Sequence, residues 1–237
     1  MSTSVASVAP TGGAMTFSVG SENFAMDRYP ATPGTAKRPV VLMVHGLDGL
    51  AGASGIGIRK FAEQASDGGY LVLVPDYFGS SDGADSAQER LAHAAAYRPR
   101  IAAAVDRALE EADADKKSLG LVGFSLGGGQ VVAYAEAAPA GRVKALVDFF
   151  GYLDSEMVTA ADRLPPTLVL HNNADLVVPS SISRALLASL ATAGVEHDAV
   201  FYDDDNPQQG NHPFKSGGPA DVDSRKRTIE WLKNHLV

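Results

Sequence analysis

The chain has 237 residues, 45% of them hydrophobic and 20% charged, with a formal charge of −8. That length and balance fit a single globular domain with a sizeable core. The acidic charge, with Lys and Arg scattered apart from Arg225-Lys226-Arg227, argues against nucleic acid or an anionic membrane as partner, and the absence of cysteine leaves only oxygen or nitrogen nucleophiles and excludes disulfides and cysteine-ligated metals.

From the N-terminus, residues 1–12 are rich in Ser, Ala, Thr and Gly without periodicity and read as a loose terminus, leaving residues 13–237 as one domain. Met1 to Gly20 holds neither Lys nor Arg and no apolar core of a signal peptide, and no later stretch reaches the ~18 apolar residues of a membrane span, so a cytoplasmic protein is expected. Met15 to Val19 and Phe24 to Tyr29 read as two short strands about the turn Gly20-Ser21-Glu22-Asn23.

From Pro39 onward the pattern becomes short unbroken apolar runs alternating with helical stretches. The runs are Val40 to Val44, Tyr70 to Val74, Ser118 to Val122, Ala145 to Phe149 and Thr167 to Leu170, with a last strand near Ala199 to Tyr202. Strands apolar at every position are buried on both faces, which is the mark of a parallel sheet. Helices are predicted over Gly57 to Gln64, Ala87 to Glu111, Gly128 to Ala138, Ser180 to Ala193 and Arg225 to His235. Asp85 and Ser86 suit an N-cap, Pro179-Ser180-Ser181 suits a helix start, and Pro99 should kink or split the long helix. The expected architecture is a doubly wound, mostly parallel α/β sheet with helices on both faces, which binds ligands beyond the carboxyl ends of its strands.

The sharpest local signal is Gly123-Phe124-Ser125-Leu126-Gly127, placed between a buried strand and an Ala-rich helix. GxSxG in that context makes a turn too tight for side chains at the glycines and thrusts the serine out over the sheet edge. The helix that follows offers unpaired N–H groups to developing negative charge, Leu126 supplying one of them. His45-Gly46-Leu47, after the strand Val40 to Val44, places a second donor at the Leu47 N–H, while His45 itself reads as a loop-stabilising residue.

A serine nucleophile needs a base and an acid, in the order Ser, acid, His for this architecture. His171 ends a buried strand, His197 sits at the wrong end of the sheet and His235 lies in the terminal helix, leaving His212, in the loop after the last strand, as the base. Asp175, just after the strand Thr167 to Leu170, is the acid. Asp203-Asp204-Asp205 competes but reads as a solvated loop, without metal-ligand spacing. Asp48, Tyr77, Phe78, Phe150, Tyr152 and Phe214 are candidate substrate contacts, and Asp76 reads as a structural residue at a strand end.

Together, His45-Gly46-Leu47, Val74-Pro75-Asp76-Tyr77-Phe78, Gly123 to Gly128, Asp175 with Val178-Pro179, and Asn211-His212-Pro213-Phe214 resemble the dienelactone hydrolase family of the α/β-hydrolase fold, from about Pro39 to the C-terminus. The resemblance implies an enzyme without metal or organic cofactor that cleaves a small-molecule ester or lactone, in the manner of a carboxylesterase. Two departures stand out. The family's dienelactone-degrading members use a cysteine nucleophile with an activating glutamate in the first loop, where this chain has Ser125 and Gly46; they also carry an arginine shortly after the histidine, where Lys215 and Ser216 follow Phe214. The same triad would also serve an acyltransferase, a thioesterase or a carbon–carbon hydrolase, and the fold alone would serve a non-catalytic binding protein.

Overall fold

A computed structural model describes residues 13–29, 36–79, 86–204 and 206–236. The loose terminus expected over residues 1–12 and the cap expected of Asp85 lie outside the described residues, as does Asp205. No described helix is long and apolar enough to cross a membrane.

The first two strands, β1 (Ala14–Val19) and β2 (Glu22–Tyr29), form the expected hairpin, turning at Gly20 with φ 59°. They are followed by β3 (Arg38–Val44), α1 (Gly52–Asp67) and β4 (Leu71–Pro75). The predicted long helix is three pieces: α2 (Ala87–Ala92), a 3-10 turn Ala94–Tyr97, and α3 (Arg98–Leu109). Pro99 sits in the first turn of α3, where its missing N–H costs nothing, and the chain breaks upstream of it, at His93. Ser86 caps α2 in a reciprocal box with Glu89.

Next come β5 (Ala114–Phe124), α4 (Leu126–Ala137), β6 (Ala145–Phe149), the short α5 (Ser155–Thr159), β7 (Thr167–Asn172), α6 (Ser181–Ala193), β8 (His197–Tyr202) and α7 (Pro219–Leu236). Pro179-Ser180 does precede a helix, but the Ser180 hydroxyl turns to the Asn173 carbonyl instead of capping α6.

The eight strands form one sheet in the order β1-β2-β4-β3-β5-β6-β7-β8, antiparallel at β1, β2 and β4 and parallel from β4 onward. Alternation along β3 divides the core. Val40, Leu42 and Val44 join the cluster that holds Ile101 and Val105 of α3, Val131 and Val132 of α4 and Leu186 and Leu190 of α6. Val41 and Met43 face the other way, into a cluster with Ile58 and Phe61 of α1 and Leu232 and Leu236 of α7. A sheet covered on both faces exposes loops only at its ends, and the carboxyl end is where the candidate site residues gather.

Candidate active site

Ser125 stands between β5 and α4 with φ 55° and ψ −118°, a left-handed conformation uncommon for a residue with a side chain. The turn is held by its backbone: Ser125 N–H donates to the Phe149 carbonyl at 2.9 Å, and the Ser125 carbonyl accepts from Gly128 at 2.8 Å and Tyr152 at 3.0 Å. The neighbouring glycines permit it. A Cβ on Gly123 would lie 2.4 Å from the Gly127 carbonyl oxygen, and one on Gly127 2.2 Å from that of Val44, both backbone atoms that cannot yield cheaply. Gly127→Ala should therefore lower stability by about 3 kcal/mol or more, read as a shift in the urea midpoint. A midpoint within error of wild type would show that α4 does not need this close approach.

The structure brings three of the predicted residues into a chain. His212 Nε2 lies 2.7 Å from Ser125 Oγ, and His212 Nδ1 lies 2.7 Å from Asp175 Oδ2. Asp175 is fixed from its other oxygen as well, Oδ1 accepting from the Val177 and Val178 N–H groups at 2.8 Å each. Burial alone would raise the proton affinity of its carboxyl, but hydrogen bonds from His171 and His212 overcome that and hold it well below the usual carboxylate range. The imidazole thus meets a carboxylate at one nitrogen and a hydroxyl at the other.

The loops carrying acid and histidine are tied together. Leu176 N–H donates to the Gly210 carbonyl at 2.9 Å, Asn172 Nδ2 to the Asp204 carbonyl at 2.8 Å, and Asn173 Nδ2 to Asp203 Oδ1 at 2.8 Å. Asn211, at φ 56°, turns the chain into His212 while its Oδ1 accepts from Asn206 N–H. Asp203 and Asp204 therefore serve as loop ties, the latter also accepting from the Lys215 N–H at 2.6 Å. No acidic or histidine cluster able to hold a metal occurs among the described residues.

Around Ser125, Leu126 opens α4, so its N–H is one of the amides a helix leaves without an internal acceptor. Leu47 follows Gly46, and a Cβ on Gly46 would lie 3.0 Å from Ser125 Cβ and 3.6 Å from its Oγ. The absence of a side chain at position 46 thus leaves the serine uncovered and sets the Gly46–Leu47 peptide beside it. The Leu47 carbonyl is pinned by Arg90 Nη1 at 2.9 Å, a contact the sequence did not suggest.

His45 is fully buried, its Nδ1 2.8 Å from the Gly46 carbonyl and its ring stacked on Tyr77. Asp76, 3.7 Å from His45 and held below its ordinary proton affinity chiefly by that ring, belongs to the same support.

The candidate substrate contacts divide. Phe150 meets the His212 ring edge-on at 4.8 Å and packs against Phe214 at 5.3 Å, and Tyr152 is exposed. Asp48 is exposed and accepts from the Ser54 hydroxyl. Phe78 is buried beneath the Arg90 guanidinium. Tyr77 is a correction: it has no exposed surface and its hydroxyl donates to the His45 carbonyl, so it props the loop from behind and has no face to offer a ligand. The other histidines sit where expected of them, His197 at the start of β8 and His235 on α7.

Two buried groups had no role assigned from the sequence. His171, at the end of β7, has its Nε2 2.9 Å from the Val178 carbonyl and 3.2 Å from Asp175 Oδ2. Its spacing of four residues from Asp175 was the available signal. Asp148 lies wholly buried in β6, under the elbow, with its Oδ1 2.3 Å from where a Gly128 Cβ would stand and 2.1 Å from that of Gly151. Burial raises its carboxyl to about 7. A charged residue inside the run Ala-Leu-Val-Asp-Phe should have marked it.

Comparison with known proteins agrees with this architecture. The chain is 27% identical over 194 residues to the carboxymethylenebutenolidase homolog of Mus musculus, 75% of this chain and 76% of that one. It is 28% identical over 144 residues to a 31.7 kDa protein of the traX-finO intergenic region of Escherichia coli, spanning 60% of this chain and only 47% of that protein's length. The crystal structure of a dienelactone hydrolase-like promiscuous phosphotriesterase from metagenomic libraries shares the fold, with TM-score 0.79, 20% identity and coverage of 96% of this chain and 99% of that one. Since the model of the dienelactone hydrolase family matches residues 26–236, nearly the whole described chain, the protein belongs to that family of hydrolases.

Proposed function

We propose that the protein is a serine hydrolase that cleaves esters or lactones of small molecules through an acyl-enzyme. The observation that carries this is the unbroken line from Ser125 Oγ to His212 to Asp175, two contacts of 2.7 Å each, on a backbone turn that presents the serine at the sheet edge. In this reading the Ser125 hydroxyl donates to His212 Nε2, so the imidazole is set to take the proton as Oγ attacks the carbonyl carbon. The imidazolium then formed is stabilised through its Nδ1–H by the ionised Asp175.

In the same reading the tetrahedral oxyanion rests on the Leu47 and Leu126 N–H groups. His212 returns its proton to the leaving alkoxide oxygen. A water deprotonated by the same imidazole attacks the acyl-enzyme, and collapse of the second tetrahedral species restores Ser125 and frees the acid. Phe150, edge-on to the imidazole and backed by Phe214, makes the surroundings of His212 apolar and so favours an apolar acyl or alkyl group over a charged one there.

A fluorophosphonate probe is expected to label the folded protein at one residue, Ser125, located by peptide mass analysis, and the unlabelled protein is expected to hydrolyse short p-nitrophenyl esters. Folded wild-type protein that does neither would overturn the proposal.

A further inference from the structure

His171 is a buried imidazole that the proposed reaction leaves idle, and its surroundings fix a hydrogen on Nε2. Nε2 faces two acceptors, the Val178 carbonyl at 2.9 Å and Asp175 Oδ2 at 3.2 Å, so Nε2 carries the hydrogen. Nδ1 lies 2.7 Å from the Ser183 hydroxyl, which is itself buried on α6 and can donate to it. Rings of Phe201, stacked at 6.3 Å, and Phe150, edge-on at 6.5 Å, confine the imidazole from its sides. Asp148, also buried, is the other acidic group whose field His171 feels.

Two serine–histidine arms therefore converge on a single carboxylate oxygen. Ser125 and His212 approach Asp175 Oδ2 from the solvent side, while Ser183 and His171 approach it from within. Only the outer serine sits on a strained turn at a loop edge; Ser183 is enclosed in a helix and has no exposure.

We propose that His171 is a positioning residue for the hydrolase: its Nε2–H, oriented by Ser183, holds Asp175 Oδ2 and the Val178 carbonyl together so that the carboxylate keeps its alignment on His212. This rests on the serine hydrolase reading. A carboxylate with two rigid amide donors on one oxygen still pivots about them, and a second donor on Oδ2 removes that freedom. The gain is in orientation at the reacting pair, where a displacement near one ångström costs about a hundredfold.

The test measures ester hydrolysis by His171→Phe, His171→Gln and Ser183→Ala, each also built on Asp175→Asn, with folding checked by circular dichroism. His171→Phe keeps a flat ring without a donor and should lower kcat between about tenfold and a hundredfold with KM within about twofold of wild type. His171→Gln, whose amide can donate near the Nε2 position, should recover most of that loss, and Ser183→Ala should lower kcat less than His171→Phe does. On Asp175→Asn the further loss from each should fall below about twofold, because the group they act through is already gone.

Equal losses in both backgrounds, or wild-type kcat in a folded His171→Phe, would overturn the proposal. If His171→Phe does not fold, Ser183→Ala with Asp175 intact carries the test: a lowered kcat that disappears on Asp175→Asn supports the proposal, and a wild-type kcat overturns it. A wild type without esterase activity or a Ser125 adduct would instead overturn the hydrolase reading itself.

Discussion

Ser125→Ala is expected to reduce kcat for ester hydrolysis by about 10⁶-fold, and His212→Ala in the same protein to cost almost nothing further. The reason is that Oγ and Nε2 share a hydrogen bond of 2.7 Å and act as one unit, so that an imidazole without its serine has no proton to take. Asp175→Asn should cost less, about 10⁴-fold, since an amide preserves shape yet favours the wrong tautomer of His212. Steady-state rates on a p-nitrophenyl ester for the single and double variants check this. Additive losses would mean that the three side chains do not form one catalytic unit.

The second large effect concerns stability. Asp148 is buried with its carboxyl raised to about 7, against an unfolded value near 4. Between those two values the unfolded chain has released this proton and the folded one retains it. The folded state binds more protons there, so stability falls as pH rises through that window and levels off above about 7. Asp148→Asn, of the same shape and never ionised, should remove that fall and make the protein more stable than wild type at pH 8, by at most about 4 kcal/mol.

Glu136, half-buried and also raised to about 7, contributes a decline of the same sign in both proteins, so the difference between them isolates Asp148. Urea midpoints from pH 5 to pH 9 supply the measurement. Parallel curves for wild type and Asp148→Asn would show that the carboxyl is ionised in the fold without penalty.

Much of the sheet was legible because a strand covered on both faces is mostly apolar, and Ala145 to Phe149 was located to the residue although Asp148 lies within it. Where exposed polar residues fill a strand that reading stops. In the first half of β5, Ala114 and Asp115 pair with Arg38 and Pro39 before a register break that leaves both lysines exposed, and no apolar run announces it. The first turn of α7 was missed because Gly217-Gly218-Pro219 reads as loop punctuation, although proline is well suited to open a helix.

In the site, local sequence pointed to Ser125 because the elbow is a local structure, and elimination led to His212. His171 was set aside for sitting at the end of a buried strand, and that placement was correct. What could not be read is that the turn Asp175 to Val178 folds back onto it, since this depends on amide donors two and three residues beyond the acid. Tyr77 failed for the opposite reason: aromatic residues beside a strand end suit a cleft wall and a loop support equally, and only the burial of its hydroxyl against the His45 carbonyl distinguishes them.

The bond from Leu176 to the Gly210 carbonyl joins the loop bearing the acid to the loop bearing the imidazole. This backbone tie adds to the Asp175–His212 contact itself, so an insertion in either loop is expected to disturb the functional group carried by the other as well as its own.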